Sequence, residues 1–236
     1  MKTVLAFETS SPVLSVALGR ATGKIREIRS KKHFQHSESL IPLIDALLKK
    51  EKISFDQIDA FLINRGPGSF TGLRIGFSLL KGFLAIRKIP CYGASSLDMI
   101  TAGIQSPEAS RLGVLIDARR EKIYGRFYQR QKGEWVAEGK VELLSLPELM
   151  TRISKGTKLV GDALSRYRAP LENNFGKEIH CLPEDLGFPS ARTLAAWFQR
   201  QDRRLALLKS PKDFSPLYFR ASEAEEHLRE KINYGA

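Results

Sequence analysis

Cysteine and histidine are scarce in this chain. Among 236 residues there are two cysteines, Cys91 and Cys181, and four histidines, and neither cysteine has a second cysteine or a histidine at metal-ligand spacing. That excludes a disulfide framework and a Cys/His zinc site, and it leaves two small buried hydrophobes suited to a reducing compartment. Long apolar runs are missing as well. The stretch from Met1 to Glu8 meets an acid before a signal-peptide core can form, and every later apolar stretch is interrupted by charge, so neither a leader nor a membrane span is expected. With 42% apolar residues the chain can still bury a core, as one large domain or two small lobes. A soluble cytoplasmic protein is the expectation.

Acid is the third shortage. Thirty-eight Lys and Arg face 26 Asp and Glu, a formal charge of +12. Such an excess raises a polyanionic partner through counterion release. It is spread evenly, however. Residues 1–107 carry 15 bases against 8 acids and residues 108–236 carry 23 against 18, and clusters such as Lys31-Lys32, Lys49-Lys50, Arg119-Arg120 and Arg203-Arg204 are pairs, not runs. A solvated basic surface accounts for this pattern, and no aromatic-plus-basic RNA motif accompanies it.

What is present is an ordered alternation. Val4 to Phe7, Val13 to Leu18 and Lys24 to Arg29 read as a three-stranded meander, with turns at Ser10-Ser11-Pro12 and Gly19 to Gly23. Ser39 is expected to cap a helix to about Lys50, with Pro42 in its first turn and a wide apolar face of Leu40, Ile41, Leu43, Ile44, Leu47 and Leu48. Ala60 to Ile63 reads as a buried strand ended by Gly66-Pro67-Gly68, and Thr71 as the cap of a helix to about Ile86. Strands at Leu112 to Asp117, Lys122 to Tyr128 and Glu134 to Ala137, a Ser145-Leu146-Pro147-Glu148 capping box and a strand at Lys158 to Val160 repeat that order. A further amphipathic helix follows Pro189-Ser190, to about Gln201. The expected domains are residues 1–107, an α/β lobe; residues 108–221, a second α/β lobe; and a charged tail, residues 222–236.

At about 100° per residue, the helix after Thr71 has two apolar stripes. Leu73, Phe77, Leu80 and Leu84 form one; Ile75, Leu79, Phe83 and Ile86 form the other, nearly opposite. One stripe can cover a sheet, and the other needs either the Ser39 helix or another protein. Gly72, Gly76 and Gly82 in the same helix suggest close packing, since each costs roughly 1 kcal/mol relative to Ala in an exposed helix interior.

Candidate chemistry concentrates at strand ends. The turn from Gly66 to Arg74 offers Gly66, Gly68 and Ser69 to an anion, but it lacks the Gly-Lys-[Ser/Thr] element of a P-loop and is not a Gly-x-Ser-x-Gly elbow. Glu8 and Asp117 end the first strands of the two halves, with Thr9 and Ser10 beside Glu8. Facing lobes would place two carboxylates as a Mg-nucleotide site does, unless they cap strand ends or pair with nearby arginines. His33 and His36 stand three apart with no third ligand close in sequence, so no metal site is assigned.

Taken together, Ala6-Phe7-Glu8-Thr9-Ser10-Ser11, Leu14 to Leu18, His36 to Pro42, Gly66 to Gly76, Gly93 to Leu97 and Pro216 to Arg220 closely resemble the bacterial TsaB (YeaZ) family. The resemblance implies an actin-like, Hsp70-like (ASKHA) α/β fold of two duplicated lobes. It implies a part in forming N6-threonylcarbamoyladenosine at position 37 of tRNAs reading codons that begin with A. There a related protein, TsaD, is the metal-holding transferase, and the ATPase TsaE joins the pair. The catalytic relative has a His-x-x-x-His pair shortly after the helix that follows its Gly-Pro-Gly turn, whereas Ala94 to Ala102 here contains no histidine. The resemblance therefore points to a pseudoenzyme that supports TsaD, pairs with a second copy when alone and requires no cofactor, with the cleft or partner interface as the place for any ATP or ADP. Glu8 stands where the family usually has Asp. The interface carries over to Leu40, Ile44 and Leu47 on the first helix and Ile75, Leu79 and Phe83 on the second. Alternatives are an actin-like nucleotide-dependent hydrolase or glycoprotease-like enzyme acting alone, and a module that contacts tRNA directly through its charge.

Overall fold

The computed structural model describes residues 2–20, 22–30, 36–106, 108–217 and 219. Strand β1 (Val4–Glu8) pairs antiparallel with β2 (Ser15–Gly19), and β2 with β3 (Ile25–Arg29). Helix α1 (His36–Glu51) returns the chain to β4 (Ala60–Asn64), parallel to β1, and α2 (Phe70–Ile86) returns it to β5 (Cys91–Ala94), parallel to β4. Helix α3 (Ser96–Thr101) leads into the second half, where β6 (Arg111–Asp117), β7 (Ile123–Gln131) and β8 (Glu134–Ala137) form an antiparallel set and β9 (Glu142–Leu144) pairs with β7. Helix α4 (Leu146–Arg152), parallel strand β10 (Lys158–Val160), α5 (Leu164–Phe175) and parallel strand β11 (His180–Cys181) follow. Helix α6 (Ala191–Gln199) and strand β12 (Ala206–Leu207) come last.

The sheet orders are β12-β5-β4-β1-β2-β3 and β11-β10-β6-β7-β8. Read outward from β1 and from β6 they coincide, with a meander on one side and parallel crossover strands on the other. This is the duplicated, two-lobed actin-like α/β fold. The parallel strands are reached through helices, as a crossover requires.

The first sheet is covered on both faces. Leu40, Ile44, Leu47, Phe77 and Leu80 from α1 and α2 pack with Leu5, Phe7, Val16 and Phe61 on one side. Ala191, Leu194, Ala195 and Trp197 from α6 pack with Val4, Ala6, Ala17 and Leu62 on the other. Hence β1, β2 and β4 are buried along their whole length, and edge strand β3 is not.

Three sequence expectations change. The 1–107 and 108–221 division fails at its far end, because α6 and β12, assigned by position to the second lobe, belong to the first sheet and its core. Helix α1 begins at His36, not after Ser39, and Pro42 lies inside it, past the first turn. Helix α2 is capped by Ser69, whose Oγ accepts from Gly72 N, and not by Thr71. Strands β5, β9, β11 and β12 and helix α3, too short to show a period, had no reading, and neither had helix α5, which carries Pro170 inside it. The Ser145 capping box is as read. The tail from 222 to 236, Tyr218 and Arg220 of the late motif, and His33 lie outside the described residues.

Leu194→Ala should lower the unfolding free energy by about 2 to 5 kcal/mol in urea denaturation, because Leu194 is fully buried against the first sheet. A loss under about 0.5 kcal/mol, the size of an ordinary surface change, would place α6 outside the lobe-one core.

Candidate functional site

Strand β1 ends in a carboxylate that is wholly enclosed. Glu8 Oε1 accepts from Ser10 N at 2.5 Å, Ser10 Oγ at 2.6 Å and Asn64 Nδ2 at 3.1 Å, and Oε2 accepts from Ser11 Oγ at 3.0 Å. Asn64, at the end of β4, extends the network. Its Oδ1 accepts from Gly66 N at 2.8 Å and from Ser96 Oγ at 2.9 Å. Glu8, Thr9, Ser10, Ser11, Asn64 and Ser96 are all buried. Burial pushes the Glu8 carboxyl up from 4.5 to about 7, against the lowering effect of its hydrogen bonds.

The glycine-rich turn is consumed by the same neighbourhood. Ser69 N donates to the Ser10 carbonyl at 2.7 Å and Gly72 N to Ser69 Oγ at 3.1 Å. A Cβ on Gly72 would overlap the Thr9 carbonyl, and one on Gly68, whose φ is +157°, would overlap the Ser10 carbonyl. Gly76 is likewise pressed on Thr9 Oγ1, while Gly82 meets nothing within 4 Å, so the packing expected of all three helical glycines holds for two. Arg74, the basic residue of the motif, lies over the Phe70 ring at 4.0 Å.

The structure thus brings Glu8, Thr9, Ser10, Gly66, Gly68 and Ser69 together, and leaves Asp117 in the other sheet with lobe-two partners. Asp117 N donates to Asp162 Oδ1 at 2.8 Å, and Arg119 pairs with the Asp117 carboxylate at 3.2 Å. Arginine pairing is the alternative that the sequence allowed for this strand end. Burial, the largest influence, raises Asp162 to about 6. After Asp117 the chain turns through Arg119, Arg120 and Glu121, all left-handed with φ of 61°, 47° and 59°, whereas Thr9-Ser10 follows Glu8.

His36 is buried and its Nε2 lies 2.8 Å from the Ser11 carbonyl. Among the described residues no group of three His, Cys, Asp or Glu could hold a metal. Cys91 is buried and its thiol is pushed up to about 12 by desolvation, which removes it as a nucleophile.

The other assembled feature is a groove between α1 and α2 of about 500 Å³, lined by Leu40, Ile41, Phe70, Arg74, Ile75 and Leu79. Here the expected interface residues differ in exposure. Leu40, Ile44 and Leu47 are only 1, 4 and 0% exposed, spent on the first sheet, and Phe83 stacks inward on Phe61 at 5.3 Å. Ile41, 58% exposed, is the α1 side chain offered outward, beside half-buried Ile75 and Leu79. Asn64 and Ser96, which complete the Glu8 network, were missed as site residues, and Ile41 was read only as part of the α1 apolar face. Asn64 left a trace, as the polar end of an apolar strand directly before the turn.

The geometry defines a class: a two-lobed actin-like protein with a sealed strand-end carboxylate and an open groove on its first two long helices. A family model described as TsaD, tRNA N6-adenosine threonylcarbamoyltransferase, matches residues 28–225. The tRNA threonylcarbamoyladenosine biosynthesis protein TsaB of Bacillus subtilis (strain 168) is 28% identical over 238 residues, 94% of this chain and 96% of that protein. TsaB of Escherichia coli (strain K12) is 32% identical over 149 residues, 62% of this chain and 64% of that protein. YeaZ from Pseudomonas aeruginosa matches with a TM-score of 0.73 at 25% identity, over 93% of this chain and 100% of that one. The chain belongs to the TsaD family and, within it, to its TsaB (YeaZ) members.

Two predictions follow from the buried network. Unfolded, Glu8 ionises near 4.5; folded, near 7. Between these values the native protein keeps a proton that the unfolded chain has released, so its contribution is full below pH 4.5 and is lost as pH rises through about 7, by roughly 3 kcal/mol. Glu8→Gln should flatten that slope in urea unfolding compared at about pH 4.5 and pH 8; an unchanged slope would refute the assignment. Separately, Gly72→Ala should destabilise by at least about 2 kcal/mol through its clash with Thr9, while Gly82→Ala, in open space, should stabilise by up to about 1 kcal/mol. Thermal unfolding of the pair checks both signs.

Proposed function

We propose that this chain acts in tRNA threonylcarbamoyladenosine biosynthesis as a subunit without chemistry of its own, docked on a TsaD-type transferase. The observation that carries this reading is the environment of α3. Where the resemblance puts a metal-holding histidine pair in the catalytic relative, Leu97 and Ile100 pack with Leu112, Val114 and Ile116 of the second lobe, and Met99 packs with Trp197 and Leu194 of the first. The segment cements the lobes. A pair of imidazoles at such positions would leave buried polar groups without partners.

The enclosed Glu8 supports the same division of labour, since its oxygens are already occupied by Ser10, Ser11 and Asn64. A solitary hydrolase would need a carboxylate open to its substrate. The α1–α2 groove gives the docking surface, with Ile41, Ile75 and Leu79 as anchors for an equivalent helix pair of the transferase, or of a second copy in its absence. The TsaE-type ATPase joins that assembly. The place for ATP or ADP is where the assembled subunits meet, and tRNA is the substrate of the complex. Among the described residues no helix is long and apolar enough to cross a membrane.

Ile41→Glu should abolish co-purification with the TsaD-type subunit, or weaken it by about tenfold to a hundredfold, without shifting the thermal midpoint, because Ile41 is exposed in the free chain. A complex of undiminished affinity would remove the groove from the interface. Leu47→Glu, by contrast, should fail by unfolding.

A further inference from the structure

A second cavity among the described residues lies at the opposite pole of the first sheet, about 13 Å along β1 from Glu8 at the strand's rise per residue. Its volume is about 990 Å³, and Lys2, Arg20, Tyr92, Trp197, Phe198 and Arg203 are among its lining residues. The docking role uses none of them.

Its walls are of two kinds. One is aromatic: Tyr92 of β5 meets Phe198 of α6 edge to face at 5.1 Å, and the buried indole of Trp197, whose Nε1 has no hydrogen-bond partner, lies beside them. The other is cationic. Arg20, which lines the cavity, shares the single carboxylate of Glu51 with Lys24 and Arg26 outside the lining, at 3.7, 3.3 and 3.4 Å, which leaves that cluster positive. Asp202, the acid in the wall, is already neutralised by Arg204 at 2.6 Å and Arg200 at 3.3 Å. Among the described residues Lys2 and Arg203 have no carboxylate partner. The Arg20 turn is fixed by Gln199 Nε2, which donates to the Arg20 carbonyl at 3.1 Å.

An aromatic surface beside unneutralised cations matches a ligand with a flat face and a negative charge. We propose that this cavity binds a nucleotide unit, its base against the Tyr92–Phe198 wall and its phosphate among Lys2, Arg20 and Arg203. A free mononucleotide and one nucleotide of an RNA chain present the same chemistry. The proposal does not rest on the docking role.

The test titrates AMP and, separately, an unmodified tRNA transcript into the purified chain at low salt, reading tryptophan fluorescence and anisotropy. At least one probe should bind saturably. Arg203→Glu and Phe198→Leu should each weaken that binding about tenfold, with the thermal midpoint unchanged, while Ile41→Glu leaves it intact. Should Phe198→Leu disturb the fold, AMP against ribose 5-phosphate reports the base contact instead, and Tyr92→Leu does so for RNA. Binding of AMP identifies a free nucleotide as sufficient; binding of tRNA alone, sensitive to both substitutions, identifies a unit within an RNA chain. Failure of both probes to bind, or binding indifferent to Arg203→Glu or to loss of the base contact, overturns the proposal.

Discussion

The contact on which the rest depends is the seating of the first turn of α2 on the backbone of Thr9 and Ser10. It requires glycine at 68 and 72, because any side chain would enter a carbonyl oxygen, and it is secured by the amide of Ser69 on the Ser10 carbonyl. Three consequences follow from this one approach. The Gly66 turn is held over the end of β1, which encloses Glu8. The roll of α2 is set so that Leu73, Phe77 and Leu80 face the sheet. Ile75 and Leu79 are thereby left beside Ile41, and the groove is the remainder of that geometry. A loop whose glycines could have received a phosphate instead receives the protein's own carbonyls.

Much of this was legible because the signals are local. The meander, the α1 and α2 helices and the capping box at Ser145 follow from period and from side chains that bond within three residues. The duplication was legible as an order of elements. Two things were not. The return of α6 and β12 to the first sheet is a tertiary choice, decided by where Trp197 and Leu194 find apolar partners, and an amphipathic helix does not say which sheet it will cover. The burial of the expected interface residues was illegible for a related reason. Leu40, Ile44, Leu47 and Ile41 share one wide apolar face, and only the position of the sheet separates the three that are consumed from the one left exposed. The Glu8 site was half legible. The sequence placed an acid at a strand end beside Thr9 and Ser10, but the atoms that close it, from Asn64 and Ser96, come from 56 and 86 to 88 residues away.

A buried carboxyl with donors from Ser10, Ser11 and Asn64 is a poor metal ligand and a good structural node. Ser10 and Ser11 tie the β1–β2 turn, and Asn64 the end of β4, to one point, and Asn64 relays the tie to Gly66 and α3. Protonation leaves the carboxyl oxygens able to accept from those donors, while burial opposes the charge more strongly than the donors favour it, so the carboxyl is pushed up to about 7.

That node also divides the sheet into two working ends. At the C-terminal ends of its parallel strands this chain fills the space with its own backbone, and the adjacent helices leave the Ile41–Leu79 groove open. At the N-terminal ends, the space between the Arg20 turn and the end of α6 is open, aromatic on one side and positive on the other. The two surfaces share the buried sheet but no residue. On the proposed reading, a partner seated on Ile41 and Leu79 would touch none of the residues that line the cavity at Tyr92 and Arg203.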